Sequence, residues 1–235
     1  YIDCIVPMSR RVAGAVATSM QNGRFPLVLG GDHSLSIGSV RGAAKYKKIG
    51  VIWLDAHGDF NTHLTTPSGN IHGMSLAALC GLGDPRLTAL YDEPVPVIDP
   101  GKVAIIGARD LDLGEKDNLR SAGALVLSME QVDRIGMVAA LEQCIEQVSR
   151  DVDGIYLSMD LDALDPRFAP GVGTPVPGGL TYREGHLACE VVAETGKLIG
   201  MDVVEVNPIL DEKNQTAKIA VEFACSALGS RVWQG

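Results

Sequence analysis

Short apolar runs alternate with helical periodicity along this chain, and that order limits the fold more than any other feature. The runs are Leu27–Leu29, Val51–Leu54, Val103–Ile106, Ala124–Leu127, Ile155–Leu157 and Leu198–Val206, the last with a polar break. Runs of this length and character read as buried strands. Between them, Val132, Ile135, Val138, Leu141, Ile145 and Val148 recur at spacings of three and four, the pattern of one amphipathic helix. An earlier helix is expected over 8–22, ending at Asn22-Gly23, where glycine can take a left-handed cap. A further helix should start at Thr181, with Glu184 completing a capping box. Strands and helices in this order imply an α/β fold with three layers, α/β/α, around a mostly parallel central sheet that binds ligands at its carboxyl ends. No repeat, low-complexity tract or linker divides the chain, so residues 1–235 are expected to form a single domain.

The junctions after three of these runs carry the same kinds of side chain. Asp55-Ala56-His57-Gly58-Asp59 follows Val51–Leu54, Asp160-Leu161-Asp162 follows Ile155–Met159, and Gly30-Gly31-Asp32-His33-Ser34 follows Leu27–Leu29. Side chains of an extended chain alternate in direction, so Asp55, His57 and Asp59 can converge on one side, as can Asp160 and Asp162. Carboxylates at the ends of buried strands are costly to desolvate unless paired or bound to a cation. With His33, the set holds four aspartates and two imidazoles, and two divalent ions would neutralise its four negative charges. Taken singly, Asp55 or Asp160 could simply cap a turn. Three segments with the same placement point instead to a metal centre.

Composition narrows the partners. Twenty basic residues against 29 acidic ones give a formal charge of −9 without a basic block, which argues against nucleic acid. An acidic surface suits a small cationic ligand, or serves solubility alone. No run approaches the roughly 20 consecutive apolar residues of a membrane span, and no secretory leader is visible. The five cysteines, Cys4, Cys80, Cys144, Cys189 and Cys225, are widely spaced and odd in number, and read as reduced, buried thiols of a cytoplasmic protein.

Six segments together carry a more specific signal: GGDHS (30–34), DAHGD (55–59), SGNIHGM (68–74), SMDLDALDP (158–166), GTPVPGGLTYRE (173–184) and MDVVEVNP (201–208). In content and order they resemble the motif series of the ureohydrolase family, its arginase branch in particular. The resemblance implies one ion held by His33, Asp55, Asp59 and Asp160 and another by His57, Asp55, Asp160 and Asp162. Mostly oxygen donors with one imidazole per ion favour a fairly hard metal that still accepts nitrogen. Among such metals the resemblance implies two Mn2+, with cobalt, iron or nickel able to use the same frame. The implied chemistry is attack of a metal-bridging hydroxide on the guanidinium carbon of L-arginine, giving L-ornithine and urea. Asp59 would then hand a proton to the leaving amine, Glu205 would pair with the guanidinium, and His72 would shuttle protons, since imidazole titrates near neutrality. By the same resemblance Asn61 and Ser68 receive the substrate's α-carboxylate and Asp112 its α-amino group. Glu115 lies nearby, and Thr174 lines the site.

The resemblance leaves two other readings open: agmatine or another guanidino compound as substrate, or a non-catalytic metal-stabilised binding protein. It also implies a homo-trimer or homo-hexamer. Relatives begin with a further strand before the helix at 8–22, so the first strand is expected to be absent here, leaving a vacancy in the middle of the sheet with exposed edges beside it.

Overall fold

The computed structural model describes residues 1–91 and 95–233. Its strands are β1 (Leu27–Leu29), β2 (Ile49–Leu54), β3 (Val103–Ala108), β4 (Leu125–Ser128), β5 (Gly154–Asp160) and β6 (Leu198–Val204). All pair in parallel, in the order β1-β6-β5-β2-β3-β4. The helices are α1 (Ile2–Gln21), α2 (Ser36–Ala44), α3 (Ser75–Leu79), α4 (Pro85–Thr88), α5 (Leu113–Ala122), α6 (Met129–Ile135), α7 (Met137–Val148), α8 (Tyr182–Glu194) and α9 (Gln215–Ala227). None is long and apolar enough to cross a membrane.

The strand period of two builds the three layers directly. Val51 and Trp53 of β2, Val103 and Ile105 of β3 and Tyr156 of β5 pack with Val16 of α1, Val40 of α2, Leu76 of α3 and Leu119 of α5. Their alternating neighbours Ile52, Leu54, Ala104, Ile106, Leu157 and Met159 pack on the opposite face with Leu141 of α7, Val192 of α8 and Phe223 of α9. Both faces of β2, β3 and β5 are therefore covered, which is why these strands read as unbroken apolar runs rather than as alternating ones.

Four expectations need correction. The periodic segment from Val132 to Val148 is two helices, because Gly136 takes φ 82° and ψ 152° and breaks the helix between Ile135 and Met137. Ile135 and Val138, which continue the apolar spacing, are left about two-fifths exposed at this break. Helix α1 begins at Ile2, not residue 8, and runs through Pro7. Packing of Ile2, Ile5 and Val6 on Leu87 and Leu90 offsets the hydrogen bond that proline cannot donate. No vacancy interrupts the sheet among the described residues: β1 pairs directly with β6, and the open edge lies outside it, with Leu29 67% exposed. Cys80, Cys144 and Cys189 are buried as expected, but Cys4 and Cys225 are exposed.

Gly50, in the middle of the buried β2, lies against α7: a Cβ there would sit 2.1 Å from the Val148 carbonyl oxygen. Backbone on both sides leaves no room to yield, so Gly50→Ala should destabilise the fold by about 1–3 kcal/mol. A lower urea midpoint at unchanged m-value would show this.

Candidate metal centre and substrate cleft

The carboxyl ends of four adjacent strands, β1, β6, β5 and β2, converge on one site. Strand β2 runs into Asp55, β5 ends on Asp160, β1 leads through Gly30-Gly31 to His33, and β6 leads into Glu205. The aspartates do cap local turns, as their positions allowed, but each does so with one oxygen. Asp55 Oδ1 accepts from the His57 N–H at 2.6 Å and Asp160 Oδ1 from the Asp162 N–H at 2.7 Å. Asp162 Oδ1 accepts from the Ala56 N–H at 3.2 Å, linking the two segments. The second oxygens point inward. Capping thus orients the ligand-type atoms instead of competing with them.

Around His33 Nδ1 stand three carboxylate oxygens: Asp160 Oδ2 at 3.0 Å, Asp59 Oδ2 at 3.1 Å and Asp55 Oδ2 at 3.2 Å. One ring nitrogen offers a single proton or a single lone pair, so it cannot satisfy three oxygens at once. Asp59 Oδ2 is buried without a hydrogen bond. A second set forms around His57 Nδ1, with Asp162 Oδ2 at 3.1 Å and Asp55 Oδ1 at 3.3 Å. Asp55 therefore offers one oxygen to each set. Donor atoms of His33, Asp55 and Asp59, and of Asp55, His57 and Asp162, lie within 4.8 Å of one another. An oxygen-rich donor set with one imidazole per group, and an orphaned buried carboxylate oxygen inside it, fits a pair of fairly hard divalent cations.

Electrostatics within the cluster agree with the geometry. Burial raises Asp59 and Asp160 well above the ordinary carboxylate range, helped by Asp55 at Asp59 and by Asp162 and Asp55 at Asp160. Asp162 is raised by burial and by Asp55. Burial pushes Asp55 the same way, but hydrogen bonds from His33 and His57 outweigh it and hold this carboxyl below its usual range. Burial also disfavours the imidazolium forms, yet Asp59 and Asp55 hold His33 up at about 9, and Asp162 and Asp55 hold His57 up at about 12.

The cluster opens onto a cleft lined by His57, Asp59, Asp160 and Asp162 on one side and by Asn61, Ser68, His72, Asp112, Glu115 and Thr174 around it. Asn61 Nδ2 donates to Asp112 Oδ2 at 2.8 Å, joining the 58–73 loop to the start of α5. Glu115 is raised to about 7 by burial, although it accepts the Phe60 N–H at 2.8 Å and the Asp112 N–H at 3.2 Å. Thr174 donates to Asp162 Oδ2 at 3.0 Å. Ser68 is exposed at the rim, where its hydroxyl accepts the Asn70 N–H. Glu205 Oε1 accepts the His33 N–H at 2.7 Å and lies 3.9 Å from His72 Nδ1; burial raises its pKa. Asp59 and Glu205 both hold positive φ, 49° and 63°, unusual for residues with a Cβ. Their backbones are pinned: the Asp59 carbonyl accepts from Leu76 and Ala77, and the Glu205 N–H donates to Gly31. Strain maintained at two functional candidates is a recurrent mark of a site.

The structure adds residues that the sequence reading passed over. Trp53 stacks on His33 with ring centroids 4.1 Å apart and planes at 4°, and donates its indole N–H to Asp55 Oδ2 at 2.9 Å. Ser158 Oγ lies 2.9 Å from His33 Nε2. Arg109 donates to the carbonyls of Gly107, Asp162, Ala163, Leu164 and Val176. Trp53 and Ser158 sit within apolar runs where they pass for core, and nothing local to Arg109 announces distant carbonyls.

A cluster of this kind exchanges protons for cations. His33 and His57 must be neutral to ligate, so loading with Mn2+ at pH 7.5 should release protons, and the apparent affinity should rise with pH throughout the range 6.5 to 9, because His33 titrates at about 9 and His57 higher still. Titration calorimetry in buffers of different ionisation enthalpy measures the release. An affinity that does not change between pH 6.5 and 9 would contradict it.

The comparisons with known proteins agree with this geometry. The model of the Arginase family matches residues 3–229. An arginase of Brevibacillus brevis is 49% identical over 233 residues, which is 99% of this chain and 78% of that protein. The structure of the arginase from Bacillus caldovelox superposes with a TM-score of 0.96 at 50% identity, covering 99% of this chain and 78% of that one. A hypothetical agmatinase from Burkholderia thailandensis superposes less closely, with a TM-score of 0.76 at 30% identity over 95% of this chain and 64% of that one. With the family model spanning nearly the whole chain and relatives at about half identity, this protein belongs to the arginase family.

Proposed function

We propose that this chain hydrolyses L-arginine to L-ornithine and urea as a single catalytic domain. The observation that carries the reading is the convergence of His33, Asp55, His57, Asp59, Asp160 and Asp162 at the inner end of a cleft that also holds the Asn61–Asp112 pair. His33, Asp55, Asp59 and Asp160 would hold one Mn2+, and His57, Asp55, Asp160 and Asp162 the other. Bound there, such ions supply a water acidified enough to act as hydroxide near neutral pH.

The side chains account for the rest of the reaction. In the net change the Cζ–Nε bond of the arginine guanidinium breaks, the water oxygen becomes the urea oxygen, and both water protons end on the departing nitrogen, which leaves as an ammonium. Asp59 is the candidate carrier, because its Oδ2 faces the cluster without a hydrogen-bond donor of its own. Glu205, fixed through Oε1 by the His33 N–H, keeps Oε2 for a charge-assisted bond to the guanidinium. His72, about a quarter exposed beside Glu205, stands where a proton can pass between cleft and solvent.

At the other end of the substrate, Asp112 has one oxygen engaged by Asn61 and one left for an α-ammonium, while Asn61 has a second amide hydrogen for an α-carboxylate. Ser68 is placed at the rim for the same carboxylate. Glu115 and Thr174, whose polar atoms are engaged with Phe60, Asp112 and Asp162, fit roles in shaping the cleft more than direct contact with substrate. Recognition of an amino-acid head group favours arginine over agmatine, which lacks the carboxylate, and the closer kinship with arginases supports the same choice. Trimeric or hexameric assembly and a cytoplasmic setting complete the proposal.

Urea release from arginine by Mn2+-loaded protein tests the reaction, and a rate equal to that with agmatine would overturn the specificity. Asn61→Ala should raise KM for arginine about 10- to 100-fold, as expected for a lost charge-assisted hydrogen bond of about 1.5–3 kcal/mol. Agmatine turnover should change far less. Asp59→Asn should lower kcat by about 10²-fold or more, the usual range for loss of an acid–base group.

A further inference from the structure

Asp202 lies in the interior of β6 between Met201 and Val203, and none of its surface reaches solvent. A carboxylate so placed needs donors. It has three: Ser36 Oγ at 3.0 Å and Ser39 Oγ at 2.5 Å on Oδ2, and Ser158 Oγ at 2.7 Å on Oδ1. Nothing in the reaction described above uses this residue. Ser158, however, has a second partner, His33 Nε2 at 2.9 Å.

The direction of that second bond follows from the proton count. A serine hydroxyl has one hydrogen, and a carboxylate can only accept. With its hydrogen committed to Asp202, Ser158 can only accept from His33, so Nε2 always carries a proton, and when the ring is neutral, as a metal ligand must be, it is the Nδ1 lone pair that faces Asp55, Asp59 and Asp160. Ser36 and Ser39 belong to α2, which begins directly after the turn His33–Leu35, so the same carboxylate also ties down the backbone that carries the imidazole. Trp53, stacked on the ring, fixes its plane.

We propose that Asp202 is a positioning residue that acts through Ser158 to fix the tautomer of His33, and so presents Nδ1 to the cation. This rests on the reading of His33 as a metal ligand. Carboxylate–histidine–metal relays are a common device of metal sites; here a serine is interposed and the carboxylate stands on the neighbouring strand.

The test is the Mn2+ dissociation constant of the full chain, measured by chelator competition, for the wild type, Asp202→Asn, Ser158→Ala, the double variant and Ser36→Ala. Asparagine keeps the shape of Asp202 but can turn an N–H toward Ser158, which frees the hydroxyl to point at His33. Asp202→Asn and Ser158→Ala should each weaken binding about 10- to 100-fold. The double variant should be no weaker than Ser158→Ala alone, because both act on one relay. Ser36→Ala should stay within about twofold. In Zn2+-loaded protein, the His33 Nε2–H resonance should stay slowly exchanging in Ser36→Ala and exchange markedly faster in Asp202→Asn, where Ser158 no longer accepts from it.

Wild-type affinity in Asp202→Asn, additive losses in the double variant, or an equal loss in Ser36→Ala would each overturn the proposal. If circular dichroism shows Asp202→Asn unfolded, Ser158→Ala decides, since the relay passes through that hydroxyl alone and unchanged affinity would refute it. A wild-type chain that binds no cation would instead sink the metal-site reading itself, which keeps the two failures distinguishable.

Discussion

Four carboxylates are held close together, out of water, at the end of a parallel sheet, and the rest of the site is organised around that repulsion. Unrelieved, such a group destabilises the fold, because each buried negative charge adds to the desolvation of the next. The protein spreads the relief over several devices. Backbone N–H groups of His57, Ala56 and Asp162 take one oxygen each from Asp55, Asp162 and Asp160. An indole and a threonine hydroxyl take further shares. What remains uncompensated is a small set of inward lone pairs, grouped closely enough to hold metal ions. Fold stability and metal affinity are thus two aspects of the same electrostatic arrangement.

Much of this was legible in the sequence because it depends on local rules. Apolar runs before Asp55 and Asp160 require both to lie at strand ends, but the two-residue alternation does not continue beyond them: Asp59 takes φ 49° and Asp162 sits in the turn Leu161–Ala163, so loop geometry brings these side chains together. The capping box at Thr181 and Glu184 and the left-handed Gly23 are likewise properties of a few adjacent residues, and both are present. Helix periodicity was less secure. It carried the apolar spacing across Gly136, because a spacing rule counts side chains and does not register that one glycine has left the helical region.

What the sequence concealed is long-range and polar. Asp202 appears in a linear reading only as a polar break in an apolar run; its meaning depends on serines 166, 163 and 44 residues away. Trp53 resembles any core aromatic until its N–H is found on a carboxylate. The order of strands was hidden for the same reason. Sequence suggested a gap in the sheet, but pairing of β1 with β6, which brings His33 and Glu205 together, is a contact across some 170 residues that no local pattern specifies.

Arg109 has a consequence for how such a cleft can change over time. Its guanidinium is spent on five main-chain oxygens, one at Gly107 within β3 and four in the segment that follows β5, so this wall is fastened through backbone and depends on the arginine. The opposite wall is pinned at Asp59, Phe60 and Asn61 to α3 and α5, and its residues 62–70 are held by threonine, asparagine and serine hydrogen bonds within the loop itself. One flank is a fixed anvil and the other an interchangeable jaw. New guanidine specificities can therefore arise by rewriting the loop residues between Asp59 and His72 while those two side chains and the rest of the hydrolytic hardware stay untouched.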